Sequence, residues 1–199
     1  MVNTFIRIPK SGSTSLMAAI AQVTPNFDNR HLTVKQILED GQEHSFYCII
    51  RDPLQQYVST YYYAKGFVEQ NLDFSDTPQP MLEAFLEHMQ VIRQTTSLEE
   101  YLLNAPNNDF LGKYLSRLDP SELLCIGHVD QMYETRALFN KVIGLPIVPL
   151  WLKKGPMRQN GPYTVEKSVK DRFISNNELE YHLYNKSLYL FDQFLKNYL

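Results

Sequence analysis

Residues 8–16, with the sequence IPKSGSTSL, decide the fold because they connect a strand-like segment directly to a helix-like one. Residues 2–8 (VNTFIRI) have the apolar and β-branched content of a strand, and residues 14–23 (TSLMAAIAQV) have helical spacing. A strand that runs through a short Ser/Gly-rich turn into a helix is typical of proteins with a parallel sheet. We therefore expect an α/β protein whose first loop follows the carboxyl end of a strand.

The alternation of strands and helices continues through the rest of the chain. We predict further strands at residues 45–50, 123–129 and 147–152. Further helices are predicted at residues 33–39, 53–64, 131–143, 165–174 and 178–198, and Pro53 is the first residue of the second of these. The continuous apolar runs SFYCII and LLCIGHV are typical of parallel strands that are buried on both faces. These elements predict a central, mostly parallel sheet flanked by helices in three layers.

The size and composition of the chain fit one ordinary domain over residues 1–199. Of these 199 residues 44% are hydrophobic and 21% charged, so the chain is neither disordered nor fibrous. The formal net charge of −3 argues against a nucleic-acid coat and a membrane-surface protein, since both usually carry a basic excess. Two cysteines are too few for a four-cysteine zinc site, and no apolar stretch is long enough to span a bilayer. We expect no metal, no nucleic-acid partner and no membrane span.

Residues 66–110 differ from the rest of the chain in charge. They hold eight acidic residues and one basic residue, Arg93, which is a net charge of −7. We predict that this segment is a mostly helical insertion within the single domain rather than a second domain.

The turn PKSGSTS has the chemistry of an anion site. Backbone N–H groups at the start of the following helix have no partner inside it, and the helix dipole favours negative charge there. Gly12 lets the backbone approach a ligand closely, and Lys10 supplies a positive charge. Hydroxyl donors come from Ser11, Ser13, Thr14 and Ser15. Because the lysine precedes the glycine, the pattern differs from the Walker sequence GxxxxGK(S/T). The alternative is an ordinary turn before a capped helix.

A second candidate anion site lies in CIIRDPLQQYVSTYYY, residues 48–63. Arg51 follows a buried strand, at the edge where open α/β sheets bind ligands, and Ser59 lies about two turns into the next helix. A guanidinium and a hydroxyl directed at the same edge could hold a phosphate. In the alternative interpretation, Arg51 and Asp52 form a local ion pair and Ser59 is a neutral helix residue.

The pair PKSGSTS and RDPLQQYVS resembles the two co-substrate motifs of sulfotransferases that use 3′-phosphoadenosine 5′-phosphosulfate (PAPS). The resemblance is strongest to carbohydrate 2-O-sulfotransferases that act on heparan-type uronic acid. It includes the continuation YVSTYYYAKG, a histidine about twenty residues before Arg51, and the later stretches IGHVDQMYE, KKGPMRQNG and NELEYHLYNKSLYLFDQF. It implies a P-loop NTPase-like form of the three-layer fold, with the acidic insertion bordering the acceptor cleft.

The resemblance also assigns roles to individual residues. The 5′-phosphosulfate would be held by Lys10, Ser11, Gly12, Ser13, Thr14 and Ser15, and the 3′-phosphate by Arg51 and Ser59. Arg158, in the late basic loop, would close over the co-substrate. PAPS would be the co-substrate and adenosine 3′,5′-bisphosphate the product, with no metal. Lys10 is suited to stabilise the bridging oxygen as the nucleotide leaves.

His31 is the leading candidate for the general base. It lies between the two motifs, where the 2-O-sulfotransferases have their catalytic histidine, and histidine suits this role near neutral pH. Its alternative role is that of a surface or helix-capping residue. Weaker candidates are His44, which is expected at the wrong end of the sheet, and His128, for which a packed role is expected, together with Asp28, Glu39 and Asp40. His88 and His182 are expected to be structural or exposed.

The acidic insertion bears on the acceptor, because a face with net negative charge would repel a highly sulfated chain. We expect a neutral or lightly charged glycan, a lipid-linked sugar or a small hydroxylated metabolite as the acceptor. Two alternatives remain: a small P-loop kinase, or a catalytically silent relative that binds nucleotide or glycan. The eukaryotic carbohydrate sulfotransferases are Golgi proteins with a membrane anchor and a stem, and this sequence resembles neither segment. We therefore expect a cytoplasmic bacterial or viral relative. A Golgi-lumen location would apply only if the chain were a piece of a longer protein.

Overall fold

The structure, a computed structural model, describes residues 1–24, 27–28, 31–70, 79–106, 110–116, 118–144, 146–148 and 164–199. Its described part is an α/β protein with a three-stranded parallel sheet, made of β1 (Val2–Ile6), β2 (His44–Ile50) and β3 (Cys125–His128). The predicted class and the first three predicted strands are confirmed. The fourth predicted strand is not seen at residues 146–148, and its other residues, 149–152, lie outside the described part.

The strands lie in the order β1-β2-β3, and the register pairs Phe5 with Tyr47 and Ile50 with His128. An isolated parallel bridge between Thr4 and Asp28 adds a short extended segment on the other side of β1. After β1, the chain therefore pairs first with one edge of β1, at Asp28, and then with the opposite edge, through β2. The strand order thus reverses between the carboxyl ends of β1 and β2, which is the position where open α/β sheets bind ligands.

The described part of the chain contains nine α-helices. They are α1 (Ser13–Val23), α2 (Val34–Leu38), α3 (Pro53–Gln70), α4 (Gln79–Gln94), α5 (Leu98–Asn104), α6 (Phe110–Tyr114), α7 (Met132–Ile143), α8 (Lys167–Asn176) and α9 (Glu178–Tyr198). The six predicted helices correspond to α1, α2, α3, α7, α8 and α9, and α3 continues six residues beyond its predicted end. No helix in the ranges given above is both long enough and apolar enough to cross a bilayer.

The chain separates into two compact units. The first consists of Met1–Arg51, Phe110–Leu152 and His182–Leu199, and it contains the sheet. The second consists of Asp52–Asp109 and Lys153–Tyr181, and it contains α3, α4, α5 and α8. The single domain over residues 1–199 stays a prediction.

Helices cover both faces of the sheet in the first unit. On one face, the ring of Phe139 in α7 lies 6.0 Å from that of Phe5 and 6.1 Å from that of Tyr47. On the other face, the ring of His128 lies 6.0 Å from Tyr184 and 6.1 Å from Phe191, both in α9. Alternate side chains of a strand point to opposite faces, so this unit buries the sheet between α7 and the last part of α9.

Aromatic side chains form the core of the second unit. The ring of Tyr57 lies edge-on to Phe173 at 5.0 Å and to His88 at 5.6 Å. The hydroxyl of Tyr101 is hydrogen-bonded to His88 Nδ1 at 2.8 Å, and the Tyr61 ring packs 5.0 Å from that of Tyr101. His88 is fully buried, which agrees with its expected structural role.

Candidate anion-binding site

The loop between β1 and α1 is folded tightly by its own hydrogen bonds. The hydroxyl of Ser11 donates to the carbonyl oxygen of Ile8 at 2.8 Å, and Ser11 is fully buried. Lys10, with φ 59°, and Gly12, with φ 82°, both adopt the left-handed conformation. This conformation is uncommon for a lysine, so the surrounding loop must hold it in place. The Ser11 hydroxyl was predicted to donate to a ligand. In the structure it donates to the backbone and thereby stabilises the loop.

Gly12 is required for two reasons. Its positive φ favours glycine, and a Cβ at this position would lie 2.6 Å from Cγ2 of Val129 and 3.9 Å from Cε of Met132. Val129 directly follows β3, and Met132 is the first residue of α7. The missing side chain of Gly12 thus lets the turn after β3 pack against the loop after β1.

The start of α1 offers unsatisfied backbone donors beside this loop. The helix begins at Ser13, and its N-cap residue, Gly12, has no side chain to accept from the amides of the first turn. Ser13 is buried, whereas Thr14 is exposed and Ser15 is half-buried. The amides and two hydroxyls of this turn can therefore contact an anion.

Arg51 and Lys10, predicted from separate motifs, meet at the carboxyl ends of β2 and β1. Nη1 of Arg51 donates a hydrogen bond to the backbone carbonyl oxygen of Lys10 at 3.1 Å. Burial, and next the charge of Arg51, lowers the pKa of Lys10 to about 8. Two cations this close to each other in a partly buried loop favour a bound anion. Asp52, the alternative partner of Arg51, accepts from the N–H of Gln55 at the start of α3.

Arg7 is a third cation at this edge, and it was not among the predicted site residues. Its Nη2 donates to Oγ1 of Thr14 at 3.4 Å, and burial lowers its pKa. Its Nε is buried without a hydrogen-bond partner among the described residues. In the sequence, Arg7 could have been identified only as a basic residue inside the apolar run FIRI, immediately before the loop. Arg7 adds positive charge beside the first turn of α1.

His31 is held by the same strand end. Its Nδ1 lies 3.2 Å from the carbonyl oxygen of Arg7. A carbonyl oxygen only accepts, so Nδ1 carries the proton, and in the neutral ring Nε2 is unprotonated. Burial, followed by the charge of Arg7, lowers the pKa of His31 to about 4, although the hydrogen bond to Arg7 opposes this shift. His31 is therefore neutral at pH 7, with a fixed tautomer.

Two other histidines are engaged elsewhere. His44 lies at the amino end of β2, where Nδ1 is 2.8 Å from Oγ1 of Thr4 and Nε2 is 3.0 Å from Oδ1 of Asp40. His128 accepts from the N–H of Asp130 through Nδ1 and is hydrogen-bonded to Tyr184 through Nε2 at 3.0 Å. The expectations that His44 lies at the opposite end of the sheet and that His128 is packed are both met.

Two further predicted site residues lie outside the described part of the first unit. Ser59 is half-buried on α3 in the second unit. Arg158 lies outside the described residues. The roles predicted for these two residues stay predictions.

Comparisons with known proteins assign no family to this arrangement. No protein-family model matches the chain, and no curated protein matches it significantly. Within the described ranges, no three histidine, cysteine, aspartate or glutamate side chains are grouped so that they could hold a metal ion. The function is therefore inferred from the pair of sequence motifs and from the cationic cluster at the ends of β1 and β2.

Proposed function

We propose that this chain is a PAPS-dependent O-sulfotransferase with a P-loop NTPase-like three-layer fold. The observation that carries the proposal is the hydrogen bond from Arg51 to the carbonyl oxygen of Lys10. It brings together the two residues that the sequence motifs assign to the 3′-phosphate and the 5′-phosphosulfate. Both residues lie where the strand order reverses, beside the open N-terminus of α1.

The proposed site for the 5′-phosphosulfate is the loop and the first turn of α1. Backbone amides of residues 12–15 would bind the equatorial oxygens, over which the charge of the transferring group is spread in the transition state. Lys10 would stabilise the bridging oxygen of the leaving nucleotide. With a pKa of about 8, Lys10 is mostly protonated at pH 7, and a bound anion would raise that pKa further.

Arg51 is the main residue proposed to bind the 3′-phosphate. Its planar guanidinium can bind two phosphate oxygens at once, whereas a lysine ammonium cannot. The motif resemblance implies the same role for Ser59, and it implies that Arg158 closes over the co-substrate. A preference for the 3′-phosphate is the property that separates PAPS enzymes from enzymes that use ATP.

His31 is the proposed general base. The acceptor oxygen attacks sulfur, its proton passes to Nε2 of His31, and the bond from sulfur to the bridging oxygen breaks. Adenosine 3′,5′-bisphosphate leaves with the electron pair of that bond. A pKa of about 4 makes His31 a weak base in the free protein, but the negative charge of bound PAPS would stabilise the imidazolium and raise the pKa.

The proposed acceptor is a hydroxyl of a neutral or lightly charged carbohydrate or a related small molecule. The net charge of −7 over residues 66–110 disfavours a highly sulfated chain. A screen at physiological salt in which heparan-like chains were the best acceptors would contradict this part of the proposal.

Calorimetric titration with adenosine 3′,5′-bisphosphate, beside ADP and ATP, tests the proposed function. Micromolar affinity for the bisphosphate with much weaker ATP binding would support it, and a screen of hydroxyl acceptors with radiolabelled PAPS would follow. No binding of the bisphosphate, or a preference for ATP with Mg²⁺, would refute it and favour the small kinase. Binding without transfer to any acceptor would favour the silent relative.

A further inference from the structure

Tyr133, the second residue of α7, is an unusually exposed aromatic side chain. It is 73% exposed, compared with 64% for Tyr189 on α9. The guanidinium carbon of Arg136, one helical turn later, lies 5.3 Å from the centroid of its ring. A cation over one face of the ring fixes its orientation, and the high exposure leaves room for a flat group on the other face.

The start of α7 lies at the edge of the sheet that carries the anion-binding loop. Val129 and Met132 both approach Gly12, at the beginning of α1. Tyr133 directly follows Met132, and β3 ends at His128, whose pairing with Ile50 places it beside the end of β2. Tyr133 therefore lies in the first turn of the helix that follows β3, at the edge of the sheet that carries Lys10 and Arg51.

The order of groups along this edge indicates which part of a ligand reaches Tyr133. His31 is hydrogen-bonded at the end of β1, and Asp28 bridges the side of β1 away from β2. Arg51 follows β2, and Tyr133 follows β3. In-line transfer places the attacking and leaving oxygens on opposite sides of sulfur. If His31 activates the acceptor, the acceptor lies on the outer side of β1 and the nucleotide extends towards β2 and β3.

We propose that Tyr133, supported by Arg136, stacks on the adenine ring of the co-substrate. This inference rests on the proposed function, because it uses the positions assigned to the phosphosulfate, the 3′-phosphate and the base. With the phosphosulfate on the loop and the 3′-phosphate at Arg51, the adenine is the part of the nucleotide that extends beyond β2. An aromatic ring held by a guanidinium is a pre-oriented surface for a base, so few rotamers are lost on binding.

The experiment compares adenosine 3′,5′-bisphosphate with uridine 3′,5′-bisphosphate, which has the same phosphates and a smaller base. Calorimetry is carried out on the wild-type protein and on the variants Tyr133→Ala and Tyr133→Phe. We expect Tyr133→Ala to weaken adenosine bisphosphate binding about tenfold or more, the scale of one base–aromatic stack, and to reduce the preference for adenine over uracil. Tyr133→Phe keeps the ring and should retain both the affinity and the preference.

Tyr189→Ala is the matched control, since it removes a similarly exposed tyrosine from α9 and should change neither affinity. If Tyr133→Ala binds adenosine bisphosphate as the wild type does, the adenine-stacking proposal is wrong. The same holds if it weakens both nucleotides equally, or if only the KM for the acceptor changes. If the wild type binds neither bisphosphate, the proposed function itself fails.

Discussion

The hydrogen bond from Nη1 of Arg51 to the carbonyl oxygen of Lys10, at 3.1 Å, joins the carboxyl ends of two neighbouring strands. The bond holds the backbone of the loop, although the charges of the two side chains repel each other. Part of the lowering of the Lys10 pKa comes from this repulsion, after the larger effect of burial. An anion bound beside both cations would offset this repulsion, and we therefore expect the loop to bind a negatively charged ligand.

Arg51→Gln is expected to weaken binding of adenosine 3′,5′-bisphosphate by about 30-fold or more, because it removes the proposed charged partner of the 3′-phosphate. ADP, which lacks that phosphate, should lose much less. Arg51→Lys should give an intermediate loss, since it keeps the charge but not the planar fork. Calorimetry measures all three affinities, and Lys141→Gln, at an exposed position of α7, is the control. Equal losses for ADP and the bisphosphate would mean that Arg51 acts only through the loop.

Lys10→Gln is expected to stabilise the protein while it abolishes transfer. The pKa of Lys10 is about 8 in the folded protein and near 10.5 in an unfolded chain, so the unfolded chain binds more protons between these values. The contribution of Lys10 to the free energy of unfolding of the wild type therefore increases as pH rises from about 8 towards 10.5. At pH 7 the variant should be more stable by on the order of 1 kcal/mol, since it lacks a desolvated charge.

Thermal denaturation at pH 7 and pH 9.5 measures this effect. The advantage of Lys10→Gln over the wild type should narrow at the higher pH, where the folded wild type has already lost the charge. Lys141→Gln, which replaces an exposed lysine of α7, is the control for loss of a positive charge. A Lys10→Gln variant that is less stable than the wild type at both pH values would contradict the assignment of a desolvated cation.

His31→Ala is expected to retain the affinity for adenosine 3′,5′-bisphosphate and to lower the transfer rate by about 10²- to 10⁴-fold, the usual contribution of a general base. On the acid side, the wild-type kcat/KM should fall near the free-protein pKa of about 4. The acid limb of kcat should lie at higher pH, because the negative charge of bound PAPS would raise the pKa of His31. A radiolabel assay across pH measures both limbs. His182→Ala, which replaces an exposed histidine of α9, is the control and should keep the wild-type pH dependence. If His31→Ala transfers sulfate at the wild-type rate, another residue must be the general base.

The local parts of this structure could be predicted from sequence because their signals are local. The apolar runs around Cys48 and Cys125 predicted buried parallel strands, and a strand followed by PKSGSTS predicted a loop at a helix start. Boundaries were less accurate. β1 ends at Ile6 rather than Ile8, because the N–H of Ile8 turns back to the carbonyl oxygen of Ile6.

The contacts that complete the candidate site depend on residues far apart in the chain. The approach of Val129 to Gly12 joins positions 117 residues apart, and no local pattern predicts it. The tautomer of His31 is set by a backbone carbonyl, which the sequence does not identify as a partner. Arg7 was missed because a single basic residue in an apolar run is also typical of an ordinary strand end.

Gly12→Ala tests the packing between the loop and the turn after β3. We expect it to lower the free energy of unfolding by about 2–4 kcal/mol, from the left-handed backbone and from overpacking. The new Cβ would lie 2.6 Å from Cγ2 of Val129, so Val129→Ala should remove the clash but not the backbone strain. In urea denaturation, Gly12→Ala should therefore cost about 1–3 kcal/mol less in the Val129→Ala background than in the wild type. Additive effects of the two substitutions would show that Val129 does not limit the space beside Gly12.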